Sequence, residues 1–264
     1  MQKHVSTRLG RLAAGLLAVA LGSCQLAPSL SVLPRVGQLD IEGDVLVSSS
    51  IASVASDAEE LGFDQDDATF QPRVDLRWGP AHITASGYIA DYEGTGTAEG
   101  QLDLGGVVIA AGEQVESALD VTSVNLVTTF DLVPTSLVDV GIGIGARVVD
   151  FEGQVRSLSS GDSIDSDELF ALPVAALRAG VALGPVQLSA IASGLSGSYD
   201  DIDATVIDVD VLAEYRFDDF LGFHGSFVAG YRHIGIDVEY TDDGSDVDAD
   251  LDFTGPYIGL ALGI

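Results

Sequence analysis

Residues 206 to 217 run VIDVDVLAEYRF, and in this stretch apolar and charged residues take turns. Ile207, Val209, Val211, Ala213, Tyr215 and Phe217 alternate with Asp208, Asp210, Leu212, Glu214 and Arg216. Successive side chains of a strand point to opposite faces, so one face is apolar and the other charged. The same division recurs in RVDLRW, where Val74, Leu76 and Trp78 oppose Arg73, Asp75 and Arg77. In LDIEGDVLV, Leu39, Ile41, Val45 and Val47 oppose Asp40, Glu42 and Asp44, and in GPYIGLALGI, Ile258, Leu260, Leu262 and Ile264 oppose Tyr257, Gly259, Ala261 and Gly263. After residue 24 no window carries the long apolar run of a spanning helix, and few carry a 3.6-residue period.

The alternation predicts ten strands, at about 38–50, 70–78, 81–92, 119–132, 138–151, 169–183, 186–196, 206–217, 221–240 and 250–264. Most have about the ten residues that a tilted strand needs to cross a bilayer. Short connections (Gly79 and Pro80, residues 133–137, Gly184 and Pro185, residues 218–220) alternate with long ones at 51–69, 93–118, 152–168, 197–205 and 241–249. Short turns at one end and long loops at the other is the asymmetry of an outer-membrane barrel. The expected fold is therefore an all-β, antiparallel, up-and-down transmembrane barrel of about ten strands, or eight if one hairpin belongs to a loop. Residues 101–116 are the candidate for such a protruding hairpin. Pro72, Pro173 and Pro256 fall near the starts of descending strands, where a missing ladder donor costs least.

Residues 1–23 have a positive start (Lys3, Arg8, Arg11), an apolar stretch and small residues before Cys24, the pattern of a signal peptide. LGSC also has the form of a lipobox, which would acylate Cys24; ordinary cleavage nearby is the alternative. Residues 24–37 are then an N-terminal periplasmic segment and 38–264 the barrel. The chain has 11 basic and 41 acidic residues, a formal charge of −30, and loss of the three basic residues of the leader takes it to about −33. Such acidity excludes nucleic acid as a partner, because phosphate binding needs a basic surface. A mean hydropathy of +0.32 excludes disorder as the explanation of that acidity. With one cysteine there is no internal disulfide and no zinc cluster.

Beyond residue 23 eight arginines remain. Strand parity places Arg73, Arg77, Arg147, Arg178, Arg216 and Arg232 inward and leaves out Arg35 and Arg156. Buried charge persists only when it is paired, so Asp40, Glu42, Asp44, Asp75, Asp208, Asp210 and Glu214 are the expected partners. The expectation is a lumen filled by arginine and carboxylate, with Gly141, Gly143 and Gly145 making room. The opposite arrangement, a soluble lipid-tethered barrel with the apolar face inside, fits the same alternation.

These features resemble the small outer-membrane barrels of Gram-negative bacteria, the group that includes the OmpA membrane domain, OmpX and OmpW. The motif that carries the resemblance is the carboxyl-terminal insertion signal, here Tyr257, Gly259, Leu262 and Ile264. It departs from the group in ending on isoleucine rather than phenylalanine. The resemblance implies residence in the outer membrane among lipid and lipopolysaccharide, insertion by the barrel-assembly machinery, and a structural or surface-interaction role without catalysis.

Two enzymatic alternatives have partial support. His224, Ser226 and Glu239 faintly resemble the His-x-Ser and Glu set of outer-membrane lipid A deacylases, and a His, Ser and acid set is the minimum for acyl transfer. Outer-membrane aspartyl proteases of the OmpT type also have ten strands, but they need an Asp-His pair at the outer rim, and Asp-x-His does not occur here. A narrow channel is a third alternative. No cofactor or specific metal site is expected. Asp246, Asp248 and Asp250 lack EF-hand spacing and are at most a place for loosely bound divalent cations.

Overall fold

The computed structural model describes residues 28–49, 53–57, 63–64, 68–97, 102–104, 107–133, 135, 137–199, 202–220, 223–242 and 245–264. The leader, Cys24 and most of the first long loop lie outside these. The strands are β1 (Ser29–Leu33), β2 (Arg35–Gly37), β3 (Asp40–Ser49), β4 (Ser53–Asp57), β5 (Phe63–Asp64), β6 (Thr69–Phe70), β7 (Arg73–Trp78), β8 (Ala81–Thr97), β9 (Leu102–Leu104) and β10 (Val107–Ile109). They continue with β11 (Gln114–Asp131), β12 (Val138–Ser157), β13 (Ser163–Leu183), β14 (Val186–Tyr199), β15 (Ile202–Phe220), β16 (Phe223–Asp242) and β17 (Ser245–Gly263).

Ten of these close an antiparallel ring in the order β1-β7-β8-β11-β12-β13-β14-β15-β16-β17, and β17 returns to β1 through Ser31 opposite Gly263. β9 and β10 form a separate hairpin within residues 101–116. β2 and β3 prolong β1 along β17, from Tyr257 opposite Gly37 to Ser245 opposite Ser49. The first wall thus begins at Ser29, and residues 29–37 are barrel rather than a separate segment. Pro34 hides this in the sequence by interrupting the alternation; its carbonyl still accepts from the amide of Leu260 at 3.3 Å.

The strands also run far beyond their expected ends. β8 reaches Thr97, β11 starts at Gln114, and β12 and β13 stay paired up to Arg156 opposite Ser163. Much of what the sequence suggests as long loops is therefore wall. Pro173 and Pro256 lie within β13 and β17 rather than at their starts. Above Ala175 β13 pairs with β12 but not with β14, so Pro173 occupies a one-sided stretch where a lost donor matters less. Pro256 sits where β17 changes partner from β3 to β2.

The barrel is built in two polarity zones, and β12 contains both. Its outward residues are Ile142, Ile144, Ala146 and Val148 in the lower part, then Asp150, Glu152, Gln154 and Arg156; its inward residues are Gly141, Gly143, Gly145 and Arg147, then Val149, Phe151 and Val155. On β11 the outward face passes from Phe130, Leu126 and Val124 to Thr122, Asp120 and Glu116, and Val124 lies opposite Val148. On β17 it passes from Ile264, Leu262, Leu260 and Ile258 to Thr254, Asp252 and Asp250. Below this border an apolar belt faces out, with Ile144 74%, Ile258 70% and Trp78 67% exposed. From Val138 to Val148 the belt spans ten steps of about 3.3 Å, or roughly 25 Å of height at a tilt near 40°, the height of a barrel's lipid band. Above the border Leu39, Tyr88, Tyr92, Val121, Val149, Ile234 and Phe253 form a buried apolar core.

Asp40 and Glu42 therefore do not enter the lumen: they are exposed on the outer wall, and Leu39 and Ile41 face the core instead. The alternation is as expected but its two sides are exchanged, because above the border the outer wall is polar and the apolar residues pack into the core. The side chain of Asp44 lies outside the described residues.

Candidate functional site

Below the apolar core the lumen holds two tiers of buried charge. In the upper tier Asp208 on β15 accepts from Arg232 on β16 through both oxygens, at 3.1 and 2.8 Å, and from Arg147 on β12. Arg232 also donates to the carbonyl of Gly87 at 3.2 Å and lies over the Tyr88 ring at 5.2 Å. In the lower tier Asp210 accepts from Arg35 at 2.7 Å, from Arg73 at 3.5 Å and from the Tyr257 hydroxyl. Arg35 is fully buried, stacks over the Tyr257 ring at 4.4 Å and donates to the carbonyl of Gln71 at 2.8 Å. This is the principal residue that the sequence reading missed. Starting the first strand at residue 38 left Arg35 outside the barrel, and a period of two carried back from Leu39 would have put it on the face read as outward.

Arg73 continues the network to Asp75 at 2.8 Å, and Thr84 donates to the other oxygen of Asp75 at 2.7 Å. Nearer the end where Ser29 and Ile264 lie, Arg178 on β13 bonds Asp131 at 2.6 Å, the Thr129 hydroxyl at 3.1 Å, and Asp139. Asp131 and Asp139 are partners absent from the expected set, since they end one strand and begin the next. Gly141 serves this cluster directly: a β-carbon there would lie 2.9 Å from the Arg178 guanidinium. Four guanidinium groups (Arg35, Arg73, Arg147, Arg232) thus share Asp208, Asp210 and Asp75. Nε and Nη1 of Arg147 have no protein acceptor.

The remaining inward residues line a chamber of about 670 Å³ at that end, bounded by Arg73, Arg77, Arg178, Glu214, Arg216 and His224 among others. Arg77 and Arg216 are inward but half-exposed, with side chains 45% and 54% accessible. Arg156 is exposed on the outer wall of the upper zone.

The hydrolase set does not assemble. Ser226 is buried and donates to Glu214 at 2.6 Å, with no bond from His224. Glu239 is thirteen positions further along the same strand, roughly 43 Å away at about 3.3 Å per residue, and its side chain lies outside the described residues. His233 is at the upper border of the belt, 3.6 Å from Asp252, while His82 and His224 are at the opposite end. None of these three stands at the rim of the long hairpins.

Asp246, Asp248 and Asp250 are not in a loop but on β17. The side chains of Asp246 and Asp248 lie outside the described residues. Among the described residues, His82, Asp131 and Asp139 gather closely enough to hold a metal, but Arg178 already bonds both aspartates. Of the insertion-signal residues, Tyr257 and Gly259 face inward, and Leu262 and Ile264 are 58% exposed on the belt.

Outside the belt, burial pushes the Tyr92 phenol up, and its hydroxyl donates to the carbonyl of Leu39 at 2.9 Å. The Ser159 hydroxyl bond holds Glu113 below the ordinary carboxylate range, helped by the amide of Ala110.

No protein-family model matches the sequence, and no curated protein matches it. Among solved structures the chain is similar to the outer membrane protease OmpT from Escherichia coli, at 12% identity and a TM-score of 0.58, covering 89% of this chain and 97% of that one. Two further matches are the transport unit of the autotransporter AIDA-I from Escherichia coli (11% identity, TM-score 0.35, 95% and 96% covered) and Ail of Yersinia pestis (10%, 0.28, 87% and 98%). At these identities the likeness concerns fold and not chemistry. The fold of this chain is that of the outer-membrane β-barrel proteins, closed with ten strands.

Proposed function

We propose that this protein is a non-enzymatic outer-membrane barrel with a sealed lumen, working as a structural or surface-interaction element. The observation that carries the reading is the stack in the lumen: the Arg35, Arg73 and Asp210 tier, the Arg147, Arg232 and Asp208 tier, and the Leu39, Tyr88, Tyr92 and Phe253 core above them. Paired charge with packed aromatic and aliphatic groups on top opposes a continuous water path. Placement in the outer membrane, after loss of residues 1–23, is supported by the apolar belt and by the likeness in fold. Lipid and lipopolysaccharide are then the surroundings of the belt, and the barrel-assembly machinery is the partner in insertion.

The upper zone gives the surface role its chemistry. Its outer wall carries Asp40, Glu42, Asp91, Glu93, Asp120 and Glu152, all exposed. This acidic collar directly above the belt would meet anionic lipid headgroups through loosely held divalent cations. The test is single-channel recording in planar bilayers. Silence at ±100 mV supports the seal, and steady unitary steps overturn it in favour of a channel.

A further inference from the structure

We propose that the chamber at the end of the barrel where Ser29 and Ile264 lie is a binding site for a small anion carrying two acidic groups, carboxylate or phosphate. The inference rests on the sealed-lumen reading, which makes the chamber blind. At about 670 Å³ it falls within the range of small-molecule sites, and Arg73, which reaches on to Asp210, lines its inner end.

The donors and acceptors in its wall are unequal. Asp75 is taken by Arg73 and Thr84, Asp139 by Arg178, and Asp131 by Arg178 with Arg77. Glu214 accepts from Ser226 at 2.6 Å and lies 3.5 Å from Arg216. Each carboxylate thus has an arginine or hydroxyl partner, whereas two guanidinium groups keep most of their donors unused among the described residues. Arg77 makes one contact, at 3.4 Å to Asp131, and Arg216 adds only a bond to Gln187 at 2.9 Å. A guanidinium offers five N–H donors in a fork that matches carboxylate and phosphate. Composition does not force this, because 41 acidic residues face 11 basic ones and every arginine has acids to spare.

Arg77 is on β7 and Arg216 on β15, four strands apart around the ring, so they approach from across the lumen. That spacing selects a ligand with an acidic group at each end. A cation would find the carboxylates occupied, and an apolar ligand would meet a wall of charged and hydroxyl groups. The acidic collar lies beyond the belt, further away than the Debye length of about 8 Å at physiological salt, so it does not repel an anion entering at this end.

The experiment is titration calorimetry on the full chain refolded in zwitterionic detergent, with pyrophosphate and citrate as probes and acetate as control. Saturable one-to-one binding of either polyanionic probe, weakened at least tenfold in R77Q/R216Q and unchanged in R156Q, is the expected result. Preference for pyrophosphate or for citrate assigns the class. Refolding of the double variant is verified by its heat-dependent shift on detergent gels, and R216Q alone serves if it fails. No saturable binding, or equal binding by R77Q/R216Q, overturns the site. Conductance on the same preparation separates the two proposals: unitary steps overturn the seal, whereas a silent barrel that binds neither probe overturns only the site.

Discussion

Replacing Asp208 by asparagine tests the charged tiers at their most connected point. Asp208 is 4% exposed and is the acceptor for Arg232, through two bonds of 3.1 and 2.8 Å, and for Arg147. Asparagine keeps the volume but removes the charge and one acceptor oxygen. Both guanidinium groups are fully buried or nearly so, at 0% for Arg147 and 1% for Arg232, and among the described residues no other carboxylate bonds either of them. Removing one member of a buried ion pair costs about 3–5 kcal/mol, because the partner charge stays behind without compensation. D208N is expected to fall at the lower end of that range, about 3 kcal/mol, since the amide oxygen still accepts one hydrogen bond. The triple change D208L/R147M/R232M should recover most of the loss, because it removes the charges together with their desolvation cost. The assay is urea unfolding of the refolded barrel in lipid vesicles, followed by tryptophan emission from Trp78. A loss below about 1 kcal/mol with an unchanged urea dependence would refute the argument, because it would mean that water reaches Arg147 and Arg232 and that the tiers are not a seal.

I144R, at the centre of the belt, should cost about 2–4 kcal/mol in lipid, whereas T122R, just above the border, should cost less than about 1 kcal/mol; equal small effects would indicate a barrel standing in water throughout. F253A should destabilise by about 3–5 kcal/mol, since Phe253 is fully buried with its ring 6.4 Å from Tyr88 and 6.1 Å from Tyr92, and the same unfolding assay reads it. The bond of Glu113 with Ser159 has a definite pH sense. Its folded pKa is depressed, so the contact is present above the ordinary value of 4.5 and is lost as pH falls through the lower folded value. Amide exchange at Ser159 and Ser160 should therefore be faster in E113Q than in the parent at pH 6, and equal rates would refute the contact.

How much was legible in the sequence differs between elements. Period two along 206–217 and 73–78 was enough to place Ile207 and Val211 outward and Asp208 and Asp210 inward, because the backbone fixes which side a residue takes. Ten alternating segments and the short turns were enough for a closed barrel of about ten strands, and the structure decided ten over eight. Parity, however, says nothing about height. Leu39 and Asp40 alternate as Leu76 and Asp75 do, yet in the first pair the apolar residue is inside and in the second it is outside. Whether lipid or water covers the outer wall decides this, and the border becomes visible only when Val124 is seen opposite Val148 and Thr122 opposite Asp150.

By itself the sequence determined the class of fold and the face taken by most charged residues of the belt, since these depend on local period and composition. Only the tertiary structure decided which charges meet. Arg35 and Asp210 are 175 positions apart, and Arg147 and Asp208 are 61 apart. Register and closure bring such pairs together, because each strand's height is set by its neighbours around the ring and not by its own residues.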